Sequence, residues 1–163
     1  MNRVVVVEDE TMARKGIILT IDWSALGCVV VGEAANGEEG AALIERLSPD
    51  IVVTDVKMPR MDGVEMIAKL RENECRAKFI ILTAYSDFKY AQSALRLGVS
   101  DYLLKPLKDG ELEAAVRHIQ GQEEARESKA AKEQDMPVLR LNPVKNTKNK
   151  YVCLLYTSDA ADD

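Results

Sequence analysis

The chain has 163 residues, 22 Lys and Arg against 27 Asp and Glu for a net charge of −5, and 47% hydrophobic residues. That apolar share supports a packed core and excludes wholesale disorder, and at roughly 100–200 residues per domain the length allows one domain with a remainder. The acidic balance disfavours direct nucleic-acid binding, and no apolar run approaches the roughly 18 residues of a membrane span.

Cys28, Cys75 and Cys153 are odd in number and show no CxxC spacing, as in a protein with reduced thiols. After Arg3 only four valines precede Glu8-Asp9-Glu10. A secretory apolar segment needs about 7–15 residues, so a cytoplasmic protein without membrane contact is expected.

In chain order, Val4–Val7 predicts a strand and 10–26 a helix. Cys28–Val31 predicts a second strand, and 37–47 a helix with Gly40, Leu43, Ile44 and Leu47 on one face. Ile51–Thr54 is a third strand, followed by a helix over 63–72. Phe79–Thr83 is a fourth, followed by a helix over 87–97 with Ala91, Ala94, Leu95 and Gly98 in register. Tyr102–Leu104 is the fifth, followed by a helix over 109–119 that aligns Leu112, Ala115, Val116 and Ile119. Each strand run is almost wholly apolar, which fits strands covered on both faces in a parallel sheet. Alternating strands and helices predict an α/β fold, a doubly wound five-stranded parallel sheet.

Beyond this lie 120–150, expected to be a polar linker or helix extension, partly disordered, and 151–163, which resembles translated adapter sequence and is expected to be a non-native tail. Within 136–150, Arg140, Lys145, Lys148 and Lys150 stand without an acid and Pro137 and Pro143 interrupt.

Ligands of such sheets sit at the carboxyl ends of the strands. Glu8 and Asp9 follow the first strand, Asp55 the third, Thr83 ends the fourth, and Lys105-Pro106 follows the fifth. Clustered carboxylates repel one another unless paired or bound to a cation, and hard oxygen donors suit Mg²⁺. A carboxylate beside Mg²⁺, faced by a lysine and a hydroxyl, can cradle a phosphoryl group, with Asp55 as candidate nucleophile.

Val4-Val5-Val6-Val7-Glu8-Asp9-Glu10, Thr54-Asp55-Val56-Lys57-Met58-Pro59-Arg60-Met61-Asp62-Gly63, Ile81-Leu82-Thr83-Ala84 and Tyr102-Leu103-Leu104-Lys105-Pro106 together resemble the receiver domain of two-component response regulators over about 1–119. The resemblance implies a flavodoxin-like sheet of order 2-1-3-4-5. It implies Asp55 as phosphoacceptor, and Asp9 and Asp55 as ligands of Mg²⁺ or Mn²⁺, with Glu8 acting through a water and Lys57 through its backbone carbonyl. Thr83 and Tyr102 take the part of a switch pair, Lys105 that of the phosphate-binding lysine, and Pro106 follows a cis bond. Glu8 stands where many receivers have Asp, so metal binding is expected with altered geometry.

Ile21-Asp22-Trp23-Ser24-Ala25-Leu26-Gly27 and Ala84-Tyr85-Ser86-Asp87-Phe88-Lys89-Tyr90-Ala91 resemble receivers that precede an AraC-type DNA-binding domain, so a chain cut before such a domain is expected. The implied partners are a sensor histidine kinase and, on phosphorylation, a second copy of the chain through the face of the fourth helix, fifth strand and fifth helix. The expected role is a signalling switch controlling transcription rather than an enzyme.

Three rivals stand beside this reading. A haloacid-dehalogenase-type phosphatase would need an Asp two residues after the nucleophile, where this chain has Lys57. A flavin carrier would need a Ser/Thr/Gly-rich phosphate loop where Glu8-Asp9-Glu10 stands. A stand-alone receiver is the third.

Overall fold

The computed structural model describes residues 1–135. The expectations for 136–150 and 151–163 fall outside the described residues. Strands β1 (Asn2–Val7), β2 (Cys28–Ala34), β3 (Ile51–Asp55), β4 (Lys78–Thr83) and β5 (Asp101–Leu104) alternate with helices α1 (Thr11–Thr20), α2 (Gly37–Leu47), α3 (Gly63–Glu72), α4 (Phe88–Gln92) and α5 (Glu111–Asp135). All four strand pairings are parallel, in the order β2-β1-β3-β4-β5.

Successive strand side chains point to opposite faces, and the sheet uses both. Val5, Val7, Val52, Phe79 and Ile81 pack against Ala41 and Ile44 of α2, Met66, Ile67 and Leu70 of α3, and Ala91 of α4. Val4, Val6, Ile51, Val53, Ile80 and Leu82 pack against Ile17 of α1 and against Leu112, Ala115, Val116 and Ile119 of α5. Each large apolar side chain buried this way contributes about 1.5–3 kcal/mol. Arg71 adds a polar brace at the end of α3. Its guanidinium donates to the carbonyls of Leu97 and Cys75 at 2.7 Å and Gly98 at 3.2 Å, and lies 4.9 Å from the centroid of the Phe79 ring.

The elements depart from the sequence reading in four places. The first helix stops at Thr20, not at 26, because Ile21 is extended (φ −92°, ψ 133°). There Asp22 accepts the Ala25 N–H at 3.1 Å and starts a separate 3-10 turn, Ser24–Leu26. The fourth helix is not one unit over 87–97. Tyr85–Asp87 and Ser93–Leu97 are 3-10 turns flanking a single α-helical turn, and the Ser93 hydroxyl donates to the Tyr90 carbonyl, a local bond that competes with the α ladder. β2 runs on to Ala34, with a register shift opposite Val4 and Val5 that leaves Val31 unpaired. The last helix continues past 119 to Asp135.

Candidate functional site

The crevice of a doubly wound sheet opens where the strand order reverses, here at the carboxyl ends of β1 and β3. Their register sets Val7 beside Thr54, so Glu8 and Asp55 leave the sheet side by side. Asp55 in turn lies beside Leu82, and Thr83 beside Leu104, which delivers Lys105 to the same edge.

Glu8 is buried, at 1% exposure. One carboxylate oxygen accepts the Glu10 N–H at 3.1 Å and the other accepts from Lys105 Nζ at 3.2 Å. Arg14, one turn into α1, donates to the Glu8 carbonyl at 2.7 Å and fixes the acidic loop from behind. Asp55 is also buried. Its Oδ1 accepts the Val56 N–H at 2.8 Å and its Oδ2 accepts from Lys105 Nζ at 2.9 Å. Asp9 is exposed at the mouth. Carboxylate oxygens of Glu8, Asp9 and Asp55 all lie within 4.8 Å of one another.

Three acids thus face one cation. Burial pushes the Glu8 carboxyl up from 4.5 to about 7; the Asp55 charge and the hydrogen bond with Asp9 add to the rise, and the Glu10 N–H and Lys105 oppose it. Burial acts to lower the Lys105 ammonium, but its hydrogen bond and charge interaction with Asp55, and then with Glu8, outweigh this and raise it. An all-oxygen, electron-rich donor set of this kind fits a hard divalent cation such as Mg²⁺.

The other residues singled out in the sequence lie around this centre. Thr83 is fully buried at the end of β4, and its hydroxyl donates to the Ala84 carbonyl at 3.1 Å. Tyr102 is half-buried in β5, its ring 5.3 Å from that of Phe88 at an interplanar angle of 58°. The Lys57 side chain points to solvent, with Nζ 3.9 Å from Asp87 Oδ1. The Lys105–Pro106 peptide is cis. Trp23 packs with Leu26 in the α1 and α5 layer, away from the acids.

Sequence reading overlooked two supports of the site. Arg14 carries no motif, and only its place one turn after Glu8-Asp9-Glu10 could have marked it. Gly63 stands in the sequence only as the end of the motif that begins at Thr54. A Cβ there would come within 2.2 Å of the Asp55 carbonyl oxygen, so the glycine is a close approach beneath the acid. It also donates its N–H to the Val56 carbonyl at 2.8 Å, closing the loop that leaves Asp55. Asp62 caps α3 in a reciprocal box with Glu65, fixing the far end of that loop.

Comparison with known proteins agrees with this fold. YesN of Bacillus subtilis, a transcriptional regulatory protein, is 37% identical over 119 residues, covering 73% of this chain and 32% of YesN. HptR of Staphylococcus aureus, a transcriptional regulatory protein, is 34% identical over 73% of this chain and 46% of its own length. The chain therefore spans less than half the length of these curated relatives. Among solved structures, the REC domain of AraT, a response regulator from Geobacillus stearothermophilus, superposes with a TM-score of 0.69 at 39% identity, over 76% of this chain and 98% of that one. A CheX–CheY–BeF3–Mg complex from Borrelia burgdorferi gives 0.65 at 25% identity, over 72% of this chain and 88% of that one. Residues 4–117 match the family described as the response regulator receiver domain, and with the acidic crevice and the sheet order this places the chain in that family.

Proposed function

We propose that this receiver domain accepts a phosphoryl group on Asp55 in a Mg²⁺-dependent reaction and relays it as a change of surface. The observation that carries this is the convergence of Lys105 Nζ, at 2.9 Å from Asp55 Oδ2, with carboxylate oxygens of Glu8, Asp9 and Asp55 mutually within 4.8 Å. Among the structural relatives, the Borrelia complex is named for beryllofluoride and magnesium.

An Asp55 carboxylate oxygen attacks the phosphorus of a phosphohistidine on a sensor kinase. The O–P bond forms as the N–P bond breaks, and the imidazole nitrogen keeps the electron pair and then takes a proton. Lys105 moves its ammonium from the carboxylate to a phosphoryl oxygen, and Thr83 gives up the Ala84 carbonyl to donate to another. Asp9 and Asp55 would hold Mg²⁺ or Mn²⁺ directly, with Glu8 through a water and the Lys57 carbonyl completing the set; the ion supplies positive charge against the phosphoryl oxygens. With Thr83 drawn in, Tyr102 turns into the space it leaves and reshapes the surface of α4, β5 and α5.

On this reading 1–119 is the phosphoacceptor domain and 120–150 leads toward an output. Phosphorylation pairs two copies, and the output is transcription through an AraC-type domain. Membrane contact and direct DNA contact by this part of the chain play no role in it. Among the described residues no helix is long and apolar enough to cross a membrane.

Intact-mass analysis after incubation with acetyl phosphate tests it. The wild type should gain one phosphoryl group with Mg²⁺ and none with EDTA, and Asp55→Asn should gain none. Full labelling of Asp55→Asn would refute the assignment. Repeated turnover of a phosphate ester would favour the phosphatase rival.

A further inference from the structure

Phosphoryl transfer leaves the segment Asp87-Phe88-Lys89-Tyr90 without a task, yet its side chains reach both halves of the site. The Tyr90 hydroxyl donates to Asp62 Oδ2 at 2.7 Å, while Asp62 Oδ1 accepts the Glu65 N–H at 2.8 Å as the cap of α3. Asp87 faces Lys57, and Phe88 packs on Tyr102. Lys57 and Asp62 belong to the loop that leaves Asp55, whereas Asp87, Phe88 and Tyr90 belong to the chain that leaves Thr83. Two loops that each begin at a site residue are therefore fastened to one another. The loop from Asp55 is the fixed partner. Gly37 donates its N–H to the Met61 carbonyl at 2.9 Å, and Gly63 donates to that of Val56. Burial, and then the bond to Asp62, push the Tyr90 phenol up to about 12.

We propose that the Tyr90–Asp62 hydrogen bond is a clasp that holds the unphosphorylated arrangement and so sets how readily a phosphoryl group on Asp55 is accommodated. The inference rests on the phosphoacceptor reading. Its direction follows from Thr83. To reach a phosphoryl group the hydroxyl leaves the Ala84 carbonyl, which loses the side-chain bond that steadies its peptide and is free to turn. Only one 3-10 turn, Tyr85–Asp87, separates that peptide from α4, so the displacement carries Tyr90 away from Asp62, which the helix cap keeps in place. The clasp exists in one state and is lost in the other, and that difference is what shifts an equilibrium. A partly exposed hydrogen bond of this kind biases the two states by about fivefold.

The test uses the full chain and beryllofluoride with Mg²⁺ as phosphoryl stand-in, followed by fluorine NMR titration. Tyr90→Phe keeps the ring and removes the hydroxyl. Asp62→Ser keeps the helix cap but is too short to reach Tyr90, which leaves a second route if the first variant folds poorly. Each should bind beryllofluoride about fivefold more tightly than the wild type, and the double variant no more tightly than either. Equal or weaker binding by both variants, or additive gains, overturns the clasp alone. A wild type that fails to bind beryllofluoride with Mg²⁺ overturns the phosphoacceptor reading and the clasp with it.

Discussion

Replacing Glu8 by Gln should stabilise the metal-free domain, and the gain should depend on pH in a defined way. In the unfolded chain the carboxyl gives up its proton near 4.5, whereas in the fold it holds it to about 7. Between those values the native state binds more protons than the unfolded state, so stability falls as pH rises. Above pH 7 the loss is complete and amounts to about 3 kcal/mol. Glutamine has nearly the same shape, and its amide oxygen can still accept the Glu10 N–H or the Lys105 ammonium, but it never ionises. In EDTA, Glu8→Gln should melt with the wild type near pH 4.5, draw ahead between pH 5 and 7, and stay roughly 10 °C higher at pH 8. Thermal melts by circular dichroism across that range read this directly. Adding Mg²⁺ should narrow the gap, because a ligand of the folded state raises the melting point and the wild type, with one more negative charge facing the ion, gains more than the variant. A variant that melts below the wild type at pH 8, or a gap of constant size at every pH, would refute the account of Glu8 as a strained anion.

The same proton links to the metal. Mg²⁺ affinity should fall as pH drops below 7 and Glu8 takes up its proton, measured by calorimetric titration; affinity that is flat from pH 5 to 8 contradicts this. Arg71→Ala should lose about 2–3 kcal/mol in urea unfolding, since charged hydrogen bonds to three carbonyls disappear. Arg71→Lys should recover little of that loss, because an ammonium cannot span the fork. Gly63→Ala drives a methyl toward the Asp55 carbonyl oxygen; it should destabilise by about 1–3 kcal/mol and weaken Mg²⁺ binding together with stability, whereas intact Mg²⁺ binding would show that the loop yields elsewhere.

The strands and the acidic crevice were legible because both rest on patterns that survive folding. Val4–Val7 and Ile51–Val53 are apolar on both faces and are buried on both faces. Glu8, Asp55 and Lys105 end their strand runs, and parallel register brings strand ends together. The second and third helices, 37–47 and 63–72, matched their expected bounds, whereas the first and fourth were less legible. Ile17 and Leu26 serve the same apolar layer although the chain between them is not one helix, so apolar residues on either side of the break read as a single element. Periodicity reports burial, whereas Asp22 capturing the Ala25 N–H decides conformation. Leu95 shows the converse: it fitted the periodic face of 87–97, but the tighter winding of its 3-10 turn leaves it half exposed. The Tyr90–Asp62 bond joins residues 28 positions apart, beyond any local pattern.

The unpaired residue in β2 has a bearing on how copies of this domain can meet. β2 and β5 are the two margins of the sheet. One is kinked at Val31, and the other is four residues long and ends against Lys105-Pro106. Neither offers the straight row of free amides and carbonyls that strand-by-strand accretion requires. Among the described residues, growth by sheet extension is thus discouraged at both borders.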